Sequence, residues 1–347
     1  MRIHISFVSV IIPCFNEERY INKCLKSLIN NDYPKDKLEI LVIDGMSEDR
    51  TRKIIMKLMK KFPFIKFMDN KARFQVIALN MGIKRAKGDI IIRCDAHSKY
   101  PTNYISELVR FHLNEIVDNV GGVWDTKPGE NTIKAKAIAK AMSNILGVGL
   151  SYRSIRGNKS LFVDTVPFGS WKKDIFKKYG NFDESFLRAQ DLEHNIRIKK
   201  LGGKILLLPW LKIKYYAREN YTKIWKMFYQ YGYFKNLVNK KHKVLSSYRQ
   251  LIPALFVFIY LLLLAFSFFS FIVFNLFIFF NFIYLSMIFS MSVVISFKER
   301  LFSLLPYLIL SFIVIHFSYG IGYIKGFIDI FLLKRKQFDK NKTLDTR

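Results

Sequence analysis

The chain has 347 residues, room for one large domain or two ordinary ones; 51% are hydrophobic, and the formal net charge is +29. A chain both strongly basic and half apolar fits an anionic membrane surface. Its Lys and Arg are scattered and carry no nucleic-acid-binding motif, so nucleic acid is set aside as a partner. Cys14, Cys24 and Cys94 lack metal-type spacing and sit in apolar segments, as reduced buried thiols do, which suits a cytosolic location for this part of the chain. The N-terminal run MRIHISFVSVIIPCFNEE meets Pro13, Asn16, Glu17 and Glu18 with no small-residue cleavage site, and reads as a first strand.

From Phe7 to Trp124 the pattern alternates strand and helix. Phe7–Pro13 and Leu38–Asp44 are short β-branched apolar runs, as expected of strands buried on both faces. Asn16 is placed to cap a helix carrying Ile21, Cys24, Leu25 and Leu28 on one face. Ile54, Ile55, Leu58 and Met59 mark a second helix, Ile65–Met68 a strand, Gln75–Ala86 a helix and Ile90–Asp95 a strand. Such repeats imply an α/β fold with a mostly parallel, Rossmann-like sheet covered by helices. Asp125–Gly169 is less regular: Thr132–Leu146 looks helical, and Gly147–Gly157, with Arg153 and Arg156, looks like loop. A helix is expected over Asp191–Lys200, with Leu192 and Ile196 as its buried stripe and Glu193 pointing elsewhere; Gly202-Gly203 then leads into a strand, Lys204–Leu208.

Tyr221–Val238 interleaves Tyr, Trp and Phe with Lys, which suits a helix in the membrane interface or a buried amphipathic one. Leu251–Phe297 holds no charged residue and is long enough for two spans with a break near Asn275 or Asn281; Leu301–Tyr323 is a third candidate. The expected divisions are residues 1–220 as the α/β domain, 221–248 as an interfacial segment, 249–325 as the transmembrane helices (two to four, with three expected) and 326–347 as a basic tail. Lys235, Lys240, Lys241, Lys243 and Arg249 precede the first span and place that side in the cytoplasm. Two spans return Lys298–Arg300 to the same side; a third would export the tail Lys334–Lys342, which the rule disfavours unless the last segment is re-entrant or interfacial.

The chemistry concentrates on three aspartates. Asp44 and Asp95 close predicted strands, where open α/β sheets bind ligands, and Asp191 opens the polar run QDLEHNIR. In an extended segment Asp95 and His97 share a face and can hold Mg²⁺ or Mn²⁺ on a diphosphate; the alternative is a solvent-facing Asp that caps a turn. Asp44, followed by Gly45, Ser47 and Asp49, can accept hydrogen bonds from a base or ribose, or simply form a strand-to-helix turn. Asp191 at a helix N-terminus, where the dipole favours the anion, can act as a general base or only as a cap.

Taken together, the segments VSVIIPCFNEE, LEILVIDGMSEDRT, ALNMGIKRAKGDIIIRCDAHS and FGSWKKDIFKKYGNFDESFLRAQDLEHNIRIKKLGG resemble the family 2 glycosyltransferases with the GT-A fold over roughly Val8 to Lys235. CDAHS, DNVGG and QDLEHNIR look most like the membrane-attached, succinoglycan-type exopolysaccharide glucosyltransferases. The resemblance implies that Pro13, Asn16 and Glu17 form the first nucleotide-contacting loop and that Asp44 contacts the nucleoside. It also implies that Asp95 begins the metal motif, that Asp191 is the catalytic base with Arg197 in the same helix motif, and that Gln230 and Lys235 belong to the interfacial segment closing over the donor. His97 and Gln190 stand where the family usually carries acidic residues. The expectation is an inverting transferase at the cytoplasmic face, moving sugar from a nucleotide sugar, uridine-linked, to a lipid-linked glycan acceptor. A processive synthase is the enzyme alternative, disfavoured because Gln230-Tyr-Gly-Tyr lacks Gln-x-x-Arg-Trp; a degenerate nucleotide-sugar-binding scaffold is the non-enzyme one.

Overall fold

The computed structural model describes residues 5–149, 155, 157–245 and 248–334; Arg153, Arg156 and the tail beyond Lys334 lie outside them. In chain order the elements are β1 (Val8–Cys14), α1 (Ile21–Ile29), β2 (Leu38–Asp44), α2 (Thr51–Met59), β3 (Ile65–Asp69), α3 (Gln75–Arg85) and β4 (Ile90–Arg93). β5 (Ser98–Lys99), α4 (Tyr104–Asn114), β6 (Asn119–Lys127), α5 (Ile133–Ser143), α6 (Ile145–Val148), β7 (Leu161–Phe162), β8 (Ser170–Lys172), α7 (Ile175–Tyr179), α8 (Gln190–Lys200) and β9 (Ile205–Tyr216) follow. The last helices are α9 (Tyr221–His242), α10 (Leu251–Phe266), α11 (Phe271–Lys298) and α12 (Leu305–Phe327). The chain forms two compact units: Met1–Asp125 with Ile155–Tyr215, and Thr126–Ser154 with Tyr216–Thr346.

The first unit is built on one sheet in the order β3-β2-β1-β4-β8-β6-β9-β5, with β7 paired to β9. β3, β2, β1 and β4 are parallel, and β8 joins β4 antiparallel. Every residue of β1, β2 and β4 is buried, as expected of strands covered on both faces. The polar exceptions are paired: Ser9 Oγ donates to Glu39 Oε1 at 2.6 Å, and Lys66 and the Lys87 amide complete the Glu39 carboxylate. The strand order reverses between β1 and β4, so the crevice at their C-terminal ends is where such a sheet receives a ligand.

Several local expectations are corrected. Asn16 does not cap α1; it sits at φ 52 with its side-chain oxygen accepting from the Glu48 amide at 2.9 Å, and α1 starts five residues later. β4 stops at Arg93 because the Asp95 amide donates to Tyr100 Oη, 2.7 Å away, instead of a neighbouring strand. β9 runs to Tyr216: Leu211, Ile213 and Tyr215 are buried between exposed Lys212 and Lys214, a period-two pattern that Pro209 interrupts in the sequence. In α8 the buried residues are Gln190, Glu193, His194, Asn195 and Ile198, whereas Leu192 and Ile196 are half-buried. Glu193 is buried because Arg197 pairs with it one turn on, at 2.8 Å.

In the second unit Asn220 caps α9, its side chain accepting from the Lys223 amide at 2.9 Å. Three apolar segments are long enough to cross a membrane: Tyr248–Phe266, Phe271–Lys298 and Phe302–Leu332. The break between the first two falls at residues 267–270, where the Ser270 side chain caps α11. Asn275 and Asn281 lie within α11 and donate to the carbonyls four residues back, at 2.9 and 2.8 Å, so neither interrupts it.

Gly122 in β6 sits so close to β9 that a Cβ there would lie 2.2 Å from the Leu211 carbonyl oxygen. Gly122→Ala is expected to destabilise the first unit by about 1–3 kcal/mol, as overpacking does. Thermal unfolding in detergent reads this as a lowered midpoint; an unchanged midpoint contradicts the close β6–β9 approach.

Candidate active site

Residues just beyond β4 and at the start of α8 meet in the β1–β4 crevice of the first unit. Arg93, the last residue of β4, is 4% exposed. Its guanidinium donates to Asp95 Oδ1 at 3.2 Å and to Asp191 Oδ1, and lies 5.8 Å from the centroid of Phe168. Burial works against the Arg93 charge, but Asp191 and Asp95 together hold its pKa above the usual value. A second chain of contacts closes the cluster: Gln190 donates to Gln75 at 2.9 Å, and Gln75 to Asp95 Oδ1 at 3.4 Å. Ala189, at φ 62, turns the chain into α8 and sets Asp191 in its first turn.

Asp191 is where the sequence places it, yet the helix terminus does not decide its proton affinity. Burial raises its pKa and the nearby Asp95 raises it further, both against the pull of Arg93. A carboxylate with its side chain 31% exposed and a raised pKa is a better proton acceptor than an ordinary surface aspartate.

The segment after Asp95 is not extended. The Ser98 amide donates to the Asp95 carbonyl at 3.2 Å, so a turn joins Asp95 to His97 and the two do not lie two apart along a strand. His97 Nδ1 stands 3.4 Å from Glu17 Oε1, and its ring packs edge-on against Tyr215, which stacks on Trp124 at 4.0 Å. Among the described residues no group of three or more His, Cys, Asp or Glu is arranged to hold a metal ion. Asp95 Oδ1 accepts from Arg93 and Gln75, while its other oxygen has no hydrogen bond among the described residues. One uncommitted carboxylate oxygen and one imidazole make a donor set that fits an ion completing its shell with substrate phosphate oxygens and water, as Mg²⁺ and Mn²⁺ do.

A second cluster joins the ends of β1 and β2. Asp44 is fully buried; its carboxylate accepts from the Ser47 amide and from Arg52, both at 2.9 Å, and from the Ser47 hydroxyl. Arg52 also reaches Asp69 at 2.8 Å and lies over Phe67. The loop after Pro13 is tied to the loop after Asp44: the Asn16 amide donates to Ser47 Oγ and the Glu17 amide to Thr51 Oγ1. Asn16 is exposed there, while Pro13 and Glu17 are buried. What this cluster offers a ligand is therefore Asn16 and the half-exposed Arg52, with Asp44 anchoring them from beneath.

Arg197 is placed differently from Asp191 despite sharing its helix. Besides Glu193, it donates to the carbonyls of Tyr179 and Asn181 at 2.6 and 2.7 Å, stapling α8 to the turn after α7. Gln230 and Lys235 belong to α9 in the second unit, Gln230 buried and the Lys235 ammonium 5.2 Å from the Tyr319 ring. Arg93, Gln75 and Arg52 are the participants that motif reading passes over. Arg93 was detectable, since a cation at the end of the apolar run Ile90-Ile91-Ile92 must find an anionic partner.

The Glycosyl transferase family 2 model matches residues 9–180. The dolichyl N-acetyl-alpha-D-glucosaminyl phosphate 3-beta-D-2,3-diacetamido-2,3-dideoxy-beta-D-glucuronosyltransferase of Methanococcus voltae is 36% identical over 333 residues, 93% of this chain and 98% of the relative. The succinoglycan biosynthesis protein ExoA of Rhizobium meliloti is 30% identical over 246 residues, 70% of this chain and 73% of the relative. A mannosyltransferase of Pyrobaculum calidifontis, solved with GDP-Man and Mn²⁺, superposes with a TM-score of 0.58 at 17% identity, covering 91% of this chain and 88% of that one. At that identity the likeness is one of fold.

Arg93→Met leaves two neighbouring carboxylates without their buried counter-charge, and is expected to cost about 3–5 kcal/mol of stability. Arg52→Ala also takes a cation from a buried carboxylate, but Asp44 keeps the Ser47 amide and hydroxyl and Arg52 is itself a third exposed, so the cost should be smaller, about 1–3 kcal/mol. Unfolding of both variants under one set of conditions checks the ranking; equal losses contradict it.

Proposed function

The chain belongs to glycosyltransferase family 2, and on that premise we propose that it transfers a sugar, with inversion, from a nucleotide sugar to a lipid-linked glycan. The carrying observation is Asp191, held at the start of α8 by Arg93 and set beside Asp95 in the crevice at the sheet's strand-order reversal. In this reading the acceptor hydroxyl gives its proton to Asp191 as its oxygen bonds to the anomeric carbon. The bond from that carbon to the diphosphate breaks on the opposite face, so no protein nucleophile is required. Arg93 orients the base, the role of a third group in a nucleophile–base–orienter set.

Asp95 and His97 would hold the divalent cation, Mg²⁺ or Mn²⁺. Such an ion, when bound, stabilises the negative charge of a leaving diphosphate. The GDP-Man and Mn²⁺ of the Pyrobaculum structure support a nucleotide sugar and a metal for this fold. The nucleoside, uridine in our reading, is assigned to the loop of Pro13, Asn16 and Glu17 and to the Asp44 cluster, where Asn16 and Arg52 offer the accessible groups. Arg197, Gln230 and Lys235 remain assigned to the substrate-binding frame by resemblance, Arg197 through the turn it holds.

The lipid-linked acceptor is supported by the Methanococcus relative, whose name specifies a dolichyl-phosphate-linked sugar, and by the apolar helices of the second unit. That relative's name also specifies a β-linked product, in keeping with inversion of an α-linked donor. The basic residues before α10 support a cytoplasmic catalytic unit at the cell membrane.

Asp191→Asn is expected to lower turnover by at least about 10³-fold, within the range of general-base catalysis. Nucleoside diphosphate release from a panel of nucleotide sugars, with membrane lipid extract as acceptor, measures this; equilibrium binding should show donor affinity changed less than about threefold. Retained turnover removes Asp191 as the base. The pH profile gives a second check: the base form exists above the Asp191 pKa, so activity falls as pH drops through it. Because burial and Asp95 raise that pKa, the acid-side midpoint should lie above the ordinary aspartate value of 3.8. A midpoint at or below 3.8 contradicts the assigned environment.

A further inference from the structure

We propose that α12, although long and apolar enough to span a bilayer, does not cross it: α12 lies with α9 in the membrane interface, and only the α10–α11 hairpin enters the hydrocarbon. This deepens the membrane placement given under the proposed function and rests on the catalytic unit being cytoplasmic only for the absolute side, not for the threading.

The geometry of the second unit carries the inference. α9 and α12 touch in nearly constant register along their whole length. Tyr221 Oη donates to the Tyr307 carbonyl at 3.0 Å, Asn236 to the Tyr323 carbonyl at 3.0 Å and Lys240 to the Ile330 carbonyl at 2.9 Å. Partners whose numbers rise together define two parallel helices, side by side over roughly 30 Å of axis. Glycines bring the backbones together: a Cβ on Gly232 would lie 2.2 Å from the Tyr319 carbonyl oxygen, and one on Gly322 would lie 2.1 Å from that of Tyr229. Helices packed this way share one depth and one tilt, so if α12 spans the membrane, α9 spans it too.

α9 cannot. It carries Lys223, Lys226, Lys235, Lys240 and Lys241, spread from its first turn to its last, and each charge at the bilayer centre costs about 2.5–3.5 kcal/mol even on insertion scales. An aromatic, lysine-rich helix belongs at the headgroup level, and its partner belongs there with it.

Both halves of α12 also contact segments that precede the first apolar helix. In its first half His316 bonds the Leu146 carbonyl at 2.8 Å, and a Cβ on Gly147 would meet the Phe312 ring at 3.4 Å. Near its end lies Lys240. Among the described residues no segment before Tyr248 is long and apolar enough to cross, so contacts with that part of the chain put both ends of α12 on the same side of the membrane. Burial agrees: 44% of the most apolar stretch of the α12 segment is enclosed by protein, against 17% and 11% for the α10 and α11 segments. The hairpin is the part left bare, with Phe268, Phe269 and Phe271 at its turn each at least 79% exposed. Threaded this way, Arg249, Lys298, Arg300 and Lys334 all fall on one side, as the positive-inside rule requires.

The test is cysteine labelling with a membrane-impermeant maleimide in intact and permeabilised cells, using full-length protein. The three native thiols are buried and serve as the unlabelled background. Lys71→Cys marks the catalytic unit and Lys334→Cys the chain beyond α12; should the latter fail to accumulate, Leu333→Cys, at a 53% exposed position, replaces it. The expected result is that both sites are shielded in intact cells and labelled at least about tenfold more after permeabilisation. Labelling of the position beyond α12 in intact cells while Lys71→Cys stays shielded overturns the inference. Labelling of both in intact cells leaves α12 uncrossed and instead rejects the cytoplasmic placement of the catalytic unit.

Discussion

A guanidinium held almost out of water between two carboxylates is the constraint around which the catalytic unit is arranged. Without Asp95 and Asp191, Arg93 would be a buried cation with no counter-charge, and both carboxylates accept a hydrogen bond from it. This couples residues of three different origins: the end of β4, the turn after it, and the first turn of α8, nearly a hundred residues later. Ala189 in the left-handed region and the Gln190–Gln75–Asp95 relay fix the same meeting from the other side. The proposed chemistry follows from this arrangement, because one group sits where a diphosphate would be neutralised and another where an acceptor proton would go.

The second unit is governed by a different constraint, the depth at which lysine-rich α9 can lie. α12 is apolar enough to span a bilayer on its own, but its glycines bind it along α9, and the solvent preference of the pair is set by the more polar member. A membrane-linked acceptor presented at headgroup level suits a transferase whose membrane attachment is a shallow helix pair and one hairpin.

Much of this was legible in the sequence, and the exceptions have physical causes. β2 is read with its observed limits because a seven-residue strand buried on both faces writes an uninterrupted apolar run ending in a polar residue. Asp44 is the polar residue that ends that run, whereas Asp95 lies two residues past the end of β4 and Asp191 is placed by the polar run that opens α8. The buried face of α8 is not the one expected: composition marks Leu192 and Ile196 as the interior and turns Glu193 away, while the face that is buried is polar and satisfied by distant partners, as Asn195 is by Asn119 and Thr165. The turn at Asp95–Ser98 depends on the Tyr100 hydroxyl, a contact no periodicity records. Asn275 and Asn281 looked like breaks, since an amide in hydrocarbon is costly, but an i−4 carbonyl satisfies each within the helix. Arg52 went unread because its role appears only when β2 and β3 lie side by side, with Asp44 opposite Asp69.

The central claim is a single displacement in which Asp191 takes the acceptor proton and no covalent sugar–enzyme bond forms. The most direct measurement is the anomeric configuration of the product, by NMR, for an α-linked nucleotide sugar that the protein turns over. Single displacement predicts a β-linked product throughout the time course. An α-linked product would contradict it, requiring a second displacement or front-side attack and removing the role that the Arg93–Asp191 pair is assigned here.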